Sequence, residues 1–174
     1  MKKEILIMQL FKLYTDGGFC NTQSKGIGSW AYILLKYDEK KKEYAELTKD
    51  SGREFDTTNN KMELKAVLKG VEALEKSGGC DPKADELEIV SDSMYVIKGS
   101  TEWVDKWNEH DWKTLTGKDV KNQDLWLKII GIKDKYLNLK FNWVKGHDND
   151  KYNIECDAMC QAKIREGVAE VQNA

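Results

Sequence analysis

The chain has 174 residues, 40% of them hydrophobic, and its 28 Lys+Arg against 30 Asp+Glu leave a net charge of −2. That is enough apolar material for one packed core, and a single domain over 1-174 is expected. The near-neutral balance excludes an overall basic field, so a nucleic-acid partner would have to be held by local geometry.

Two lysines precede the apolar run at the start, but Glu4, Gln9 and Lys12 interrupt it and no small-x-small cleavage site follows. Nothing approaches the roughly eighteen continuous apolar residues of a membrane span. Cys20, Cys80, Cys156 and Cys160 form no C-x-x-C pair and no zinc-ligand spacing with a histidine. Reduced thiols in a soluble, cytoplasmic protein without a membrane partner are therefore expected.

From Ile5 to Thr15 the chain is nearly continuously apolar or β-prone, as in a central strand buried on both faces, and this strand is expected to end at Asp16-Gly17-Gly18. After a polar loop, Ser29–Leu35 reads as a second strand. Lys36–Lys42 reads as a charged turn into a third strand near Glu43–Thr48, completing an antiparallel meander. Asp56–Asn60 supplies N-cap candidates for a helix in which Ala66, Val67, Gly70, Val71 and Leu74 recur at helical spacing; Gly78-Gly79 stops it.

A short buried strand is expected at Leu87–Ser91, followed by short helical pieces from Ser93 through Trp112 and a helix over Asn122–Lys133. Leu137, Leu139, Phe141 and Trp143 alternate cleanly, marking a strand with one face on the core, and a last helix runs from about Asn153 to Glu170. The order implies an α/β fold with a five-stranded mixed sheet, three antiparallel strands then parallel ones, and helices on both faces.

Asp16, Glu63, Asp92 and Asp157 lie where a purely structural role is awkward. Each has an ordinary explanation: Asp16 in shaping a turn, Asp92 and Asp157 near helix N-termini, Glu63 in a capping box with Asn60. If Asp16 and Asp92 end neighbouring parallel strands, however, their carboxylates share one sheet edge. Charges about 4 Å apart repel by roughly 4 kcal/mol at an effective dielectric near 20, and a hard divalent cation is the natural compensation.

The segments Tyr14-Thr15-Asp16-Gly17, Thr57-Thr58-Asn59-Asn60-Lys61-Met62-Glu63-Leu64, Ser91-Asp92-Ser93-Met94-Tyr95-Val96 and Trp143-Val144-Lys145-Gly146-His147, with Glu155-Cys156-Asp157, resemble in order and spacing the signature blocks of type 1 ribonuclease H. The likeness extends through Trp103, Trp107, Trp112-Lys113-Thr114 and Val120–Trp126, so it covers nearly the whole chain. It implies the ribonuclease H-like fold. It also implies an endoribonuclease that hydrolyses the RNA strand of RNA/DNA hybrids by two-metal-ion catalysis, leaving 5′-phosphate and 3′-hydroxyl ends.

Carried over by position, the resemblance makes Asp16, Glu63, Asp92 and Asp157 the carboxylates for two Mg²⁺ ions, with Mn²⁺ as a substitute. One ion would activate the attacking water and the other would stabilise the leaving 3′-oxygen. His147, on the loop Gly146–Tyr152, would assist proton transfer or product departure; the bland alternative is a histidine that caps the loop. Substrate contacts are implied at Gly17, Asn21, Thr58, Asn59, Asn60 and Asn153. Asn59 and Asn60 would face the minor groove and the 2′-hydroxyls, and Thr58 would hold a phosphate of the DNA strand. Trp103 and Trp107 share a helix face in a substrate-binding handle at about 101-121, either as an aromatic platform or as the handle's own core. The family expectation is a monomer.

The chain departs from the family pattern in several places. The loop Gly18–Gly28 lacks the usual Asn-Pro-Gly run, Asp56 stands where many relatives are basic, Met94 replaces a frequent glutamine, and the handle reads Trp107-Asn108-Glu109-His110-Asp111-Trp112 in place of a basic cluster. These changes weaken phosphate capture and leave the metal ligands untouched. Three other readings are a DNA-acting member of the same fold superfamily, a hybrid-binding module with decayed catalysis, and a domain that works docked to a polymerase. The Thr-Thr-Asn-Asn-x-Met-Glu block with the Trp-Val-x-Gly-His loop disfavours the first, the intact carboxylates with His147 the second, and the handle segment the third.

Overall fold

The computed structural model describes residues 7–174. One five-stranded sheet has the order β3-β2-β1-β4-β5, built from β1 (Leu10–Asn21), β2 (Gly26–Asp38), β3 (Glu43–Phe55), β4 (Glu86–Ser91) and β5 (Asn138–Trp143). β1 to β3 form the antiparallel meander, and β1, β4 and β5 run parallel. The mixed sheet expected from the sequence is what the chain forms.

Helices cover both faces. On one side α1 (Asn59–Ser77) and α4 (Gln123–Lys135) enclose Phe11, Leu13, Leu34, Leu64, Val67, Leu87, Ile89 and Trp126; on the other, α5 (Lys151–Gln172) packs Cys156 and Cys160 against Tyr14, Ile33, Leu35 and Val90. Each fully buried aliphatic side chain contributes roughly 1.5–3 kcal/mol. At Gly70 a β-carbon would come within 2.4 Å of Leu13, so glycine lets α1 lie close on β1.

The first strand needs correcting. Its expected start at Ile5 falls partly among residues 1–6, outside the described residues, and the strand proper begins at Leu10. It does not end at Asp16. The parallel ladder with β4 stops at Thr15↔Ser91, but antiparallel pairing with β2 continues to Asn21↔Gly26. Gly17 and Gly18, which suggest a turn in the sequence, serve close packing instead: a β-carbon on Gly17 would sit 2.5 Å from the Glu63 backbone nitrogen, and one on Gly18 2.5 Å from Ser29 Oγ. The turn falls later, where the Thr22 N–H donates to the Lys25 carbonyl at 2.9 Å.

β3 runs seven residues past the expected Thr48. It is an edge strand with little buried surface, so its polar second half shows no apolar alternation. Its register shifts against β2 at Leu34/Leu35.

Between β4 and α4 the expected short helical pieces are α2 (Met94–Lys98), a π-helical turn (Gly99–Trp103) and α3 (Val104–Glu109), end to end. Gly99 gives the Trp126 indole its place, since a β-carbon there would be 2.0 Å from the ring. The Tyr95 hydroxyl accepts from Trp126 Nε1 at 3.0 Å and from Asn122 Nδ2 at 3.1 Å, joining this segment to α4. Among the described residues no helix is long and apolar enough to cross a membrane.

Candidate active site

Three elements bring the carboxylates together. Asp16 stands on β1 one residue past the parallel ladder, Asp92 directly follows β4, and Glu63 lies in the first turns of α1, which the bare backbone of Gly17 allows to approach. Thr58 caps α1, its hydroxyl accepting from the Lys61 N–H at 3.3 Å. Asp16, Glu63 and Asp92 each offer an oxygen within 4.8 Å of the others. Asp157 falls outside that group. It sits on α5 with Oδ2 3.9 Å from His147 Nδ1.

The cluster is crowded and poorly solvated. Burial first, then repulsion by Asp92 and Asp157, pushes the Asp16 carboxyl up to about 8, against the pull of the Gly17 N–H. Glu63 is held well above the usual carboxylate range by burial, then by Asp16 and Asp92, opposed by the Gly17 N–H and the Asn59 side chain. Among the described residues its Oε2 is buried without a hydrogen-bond partner. A buried, orphaned carboxylate oxygen facing two further carboxylates is what a hard cation with oxygen ligands would satisfy, and the donor set fits Mg²⁺ or Mn²⁺.

Asp92 is held from several sides. Asn153 Nδ2 donates to Asp92 Oδ2 at 3.2 Å, and Trp143 Nε1 donates to its carbonyl at 3.0 Å. A β-carbon on Gly146 would meet Oδ2 at 2.8 Å, so the His147 loop passes directly over the carboxylate. Asn153, expected as a substrate contact, lies 2% exposed beneath Asp92, where its amide orients a carboxylate. His147 is largely exposed, with a left-handed backbone at φ 59°.

The other expected contacts surround this centre. Asn59 and Asn60 are exposed in the first turn of α1, Thr58 is exposed beside them, Gly17 is half-buried next to Glu63, and Asn21 is exposed at the far end of β1. In the handle, Trp103 and Trp107 have ring centroids 5.8 Å apart, and Trp107 meets Trp126 edge-on at 5.6 Å. Both indoles are half-buried and line an open cleft of about 1060 Å³ with His110 and Leu115, and Trp107 also packs against the core.

The sequence reading assigned no role to Tyr14, Asp150 or Trp143. Asp150 carries a local signal as an N-cap candidate; its side chain accepts from the Tyr152 and Asn153 N–H groups. The Tyr14 contact with Asp150 has none, because it spans 136 positions.

The model of the RNase H family matches residues 8–165. The chain is also 40% identical over 163 residues to the ribonuclease H of Wolbachia pipientis wMel, covering 94% of this chain and 97% of that protein. The chain belongs to the ribonuclease H family. Enzymes of this family degrade the RNA of RNA/DNA hybrids. Among solved structures its fold is similar to that of LC9-RNase H1, a type 1 RNase H with the type 2 active-site motif, with a TM-score of 0.73, 21% identity and coverage of 90% of this chain and 72% of the other. LC11-RNase H1, crystallised with an RNA/DNA hybrid, is similar with a TM-score of 0.62 and 23% identity over 91% of this chain and 99% of the other.

Proposed function

We propose that this ribonuclease H is a divalent-metal-dependent endoribonuclease that hydrolyses the RNA strand of RNA/DNA hybrids to 5′-phosphate and 3′-hydroxyl ends. The observation that carries the reading is the trio Asp16, Glu63 and Asp92, within 4.8 Å of one another around a buried Glu63 oxygen without a partner. Asp157 joins them from α5 as the fourth ligand.

Asp16, Glu63, Asp92 and Asp157 would hold two Mg²⁺ ions, whose chemistry would be to activate a water and stabilise the departing 3′-oxygen. The chain's own groups do the rest. Asn153 fixes the rotamer of Asp92 through its amide. Asn59 and Asn60 offer amides to the minor groove, where a 2′-hydroxyl distinguishes RNA from DNA, and Thr58 offers its hydroxyl proton to a DNA-strand phosphate. Gly17, which lets α1 close on β1 beside Glu63, offers its backbone to the hybrid, and Asn21 extends the contact along β1. His147, exposed and 3.9 Å from Asp157, moves a proton at the site's rim or helps the product leave. The segment 101-121 serves as the handle, with the half-buried Trp103 and Trp107 lining its cleft. The chain acts as a cytoplasmic monomer.

The test is to incubate the protein with end-labelled RNA/DNA, RNA/RNA and DNA/DNA duplexes, with Mg²⁺ or with chelator. Cleavage confined to the RNA of the hybrid, abolished by chelator and leaving ends that a ligase joins directly, is expected. Cleavage of DNA/DNA, or cleavage that survives chelation, would overturn the reading. Sedimentation velocity checks the monomer.

A further inference from the structure

The loop that carries His147 is tied down at both ends. At its start the Val144 N–H donates to the Ser91 carbonyl at 3.1 Å and Trp143 Nε1 reaches the Asp92 carbonyl at 3.0 Å. At its end the Tyr14 hydroxyl donates to Asp150 Oδ2 at 3.0 Å, while Asp150 Oδ1 accepts the Tyr152 and Asn153 N–H groups that open α5. Only residues 145–149 lie between these anchors, and His147 is among them in the left-handed region.

Tyr14 stands two residues before Asp16 on β1 and is 7% exposed, its ring against Tyr152 at 5.3 Å. A phenol buried in a pocket of Cys156, Val144 and Tyr152 could be replaced by phenylalanine at no loss of packing; among the described residues the hydroxyl has a single partner, the residue closing the histidine loop. Asp150 is also the cap from which α5 carries Asn153 to Asp92 and Asp157 towards His147.

We infer that the Tyr14–Asp150 hydrogen bond is a latch that sets the position of His147 relative to the carboxylates, making Tyr14 and Asp150 positioning residues for the hydrolysis proposed above. The inference rests on that reading. The bond links the strand bearing Asp16 to the far end of the loop, so imidazole and metal site move as one body. A group misplaced by about 1 Å loses up to ~100-fold in rate without any change in its chemistry.

The experiment is a double-mutant cycle. Tyr14→Phe should lower kcat on an RNA/DNA hybrid about ten- to a hundred-fold, with KM and Mn²⁺ affinity by calorimetry within about two-fold. In a His147→Ala background the same change should cost less than about two-fold, because the group being positioned is gone. Asp150→Ser keeps a helix cap but cannot reach Tyr14, and should reproduce the Tyr14→Phe kinetics; it replaces that variant if Tyr14→Phe fails to melt cooperatively. Equal losses in both backgrounds, or unchanged kcat in either single variant, would overturn the latch. If the unsubstituted protein left the hybrid intact, the functional reading and the latch would fall together, whereas an active parent with an indifferent Tyr14→Phe removes the latch alone.

Discussion

The carboxylate centre and the handle are built on opposite principles. The centre is buried, assembled from β1, β4 and α1 through glycine contacts that tolerate no β-carbon, and left electrostatically strained, with Asp16 pushed up to about 8. The handle is exposed and electrostatically relaxed. Asp105 pairs with Lys133 at 2.7 Å, Lys113 pairs with Asp119, His110 Nδ1 meets the Lys106 carbonyl at 2.7 Å, and Trp107 packs on Trp126. A site that stores repulsion is prepared for a ligand of opposite charge; a solvated surface with only some charges paired, such as Asp105 with Lys133 and Lys113 with Asp119, stores none. In this chain the metal centre should be demanding and the handle undemanding.

The sharpest break in that contrast would come from Asp16→Asn. Replacing this carboxylate with an amide should abolish cleavage while leaving hybrid binding measurable, and should raise the melting temperature of the metal-free protein above about pH 8, where Asp16 would otherwise be charged. Near-normal turnover in a single-turnover assay would show that the strained centre is not the reacting one. His147→Ala should then lower kcat by roughly 10²–10⁴-fold, the range of general acid–base groups, with metal affinity unchanged by calorimetry.

The strain also predicts a pH dependence. The folded chain keeps a proton at Asp16 up to about pH 8, whereas the unfolded chain releases it near 3.8. The Asp16 contribution to stability without metal is therefore fully present at low pH, is lost between about pH 4 and 8 and levels off above, with a slope of about 1.4 kcal/mol per pH unit for one proton. A divalent ion replaces that proton, so added Mg²⁺ should raise the melting temperature more at pH 8 than at pH 6. Melts with the same metal increment at both values would contradict the crowding of Asp16 and Glu63.

The smallest effect is expected at the handle. Changing Asn108, Glu109 and His110 together to lysine should tighten hybrid binding at low salt and steepen log K against log salt by about two to three units, at roughly 0.9 per phosphate, a duplex-DNA value applied to the hybrid. KM should fall and the chemical step should stay as it was. An unchanged salt slope would mean that the handle does not meet the substrate.

What the sequence disclosed follows from the range of each signal. The alternation of Leu137, Leu139, Phe141 and Trp143 locates β5, but only Leu139 and Phe141 turn half-buried against the core; Leu137 precedes the strand and Trp143 ends it, both exposed. Gly17-Gly18 misleads, because a glycine kept for close approach looks like one kept for a turn, and only the facing Glu63 backbone distinguishes them. The carboxylates are legible as a set of motif positions, but their inequality is not: that Asp157 stands apart from the other three depends on how α5 is seated. Asn153 is similar. Its type suits a polar contact with substrate, and its burial beneath Asp92 appears only when β4 and α5 meet.

The sheet's two edges bear on how the protein behaves at high concentration. An open edge offers free N–H and C=O groups to any neighbouring strand, which is how native sheets seed aggregation. β3 presents Glu43, Glu46, Lys49, Asp50 and Arg53 along its length and pairs irregularly with β2 at Leu34/Leu35, while the opposite edge is the six-residue β5, carrying Lys140. A second molecule docking there would have to desolvate several charges already engaged in ion pairs, such as Lys49 with Glu155 and Arg53 with Glu166 and Glu170. The same polar stretch that hides the end of β3 from sequence patterning thus guards the chain against pairing edge to edge with its own copies.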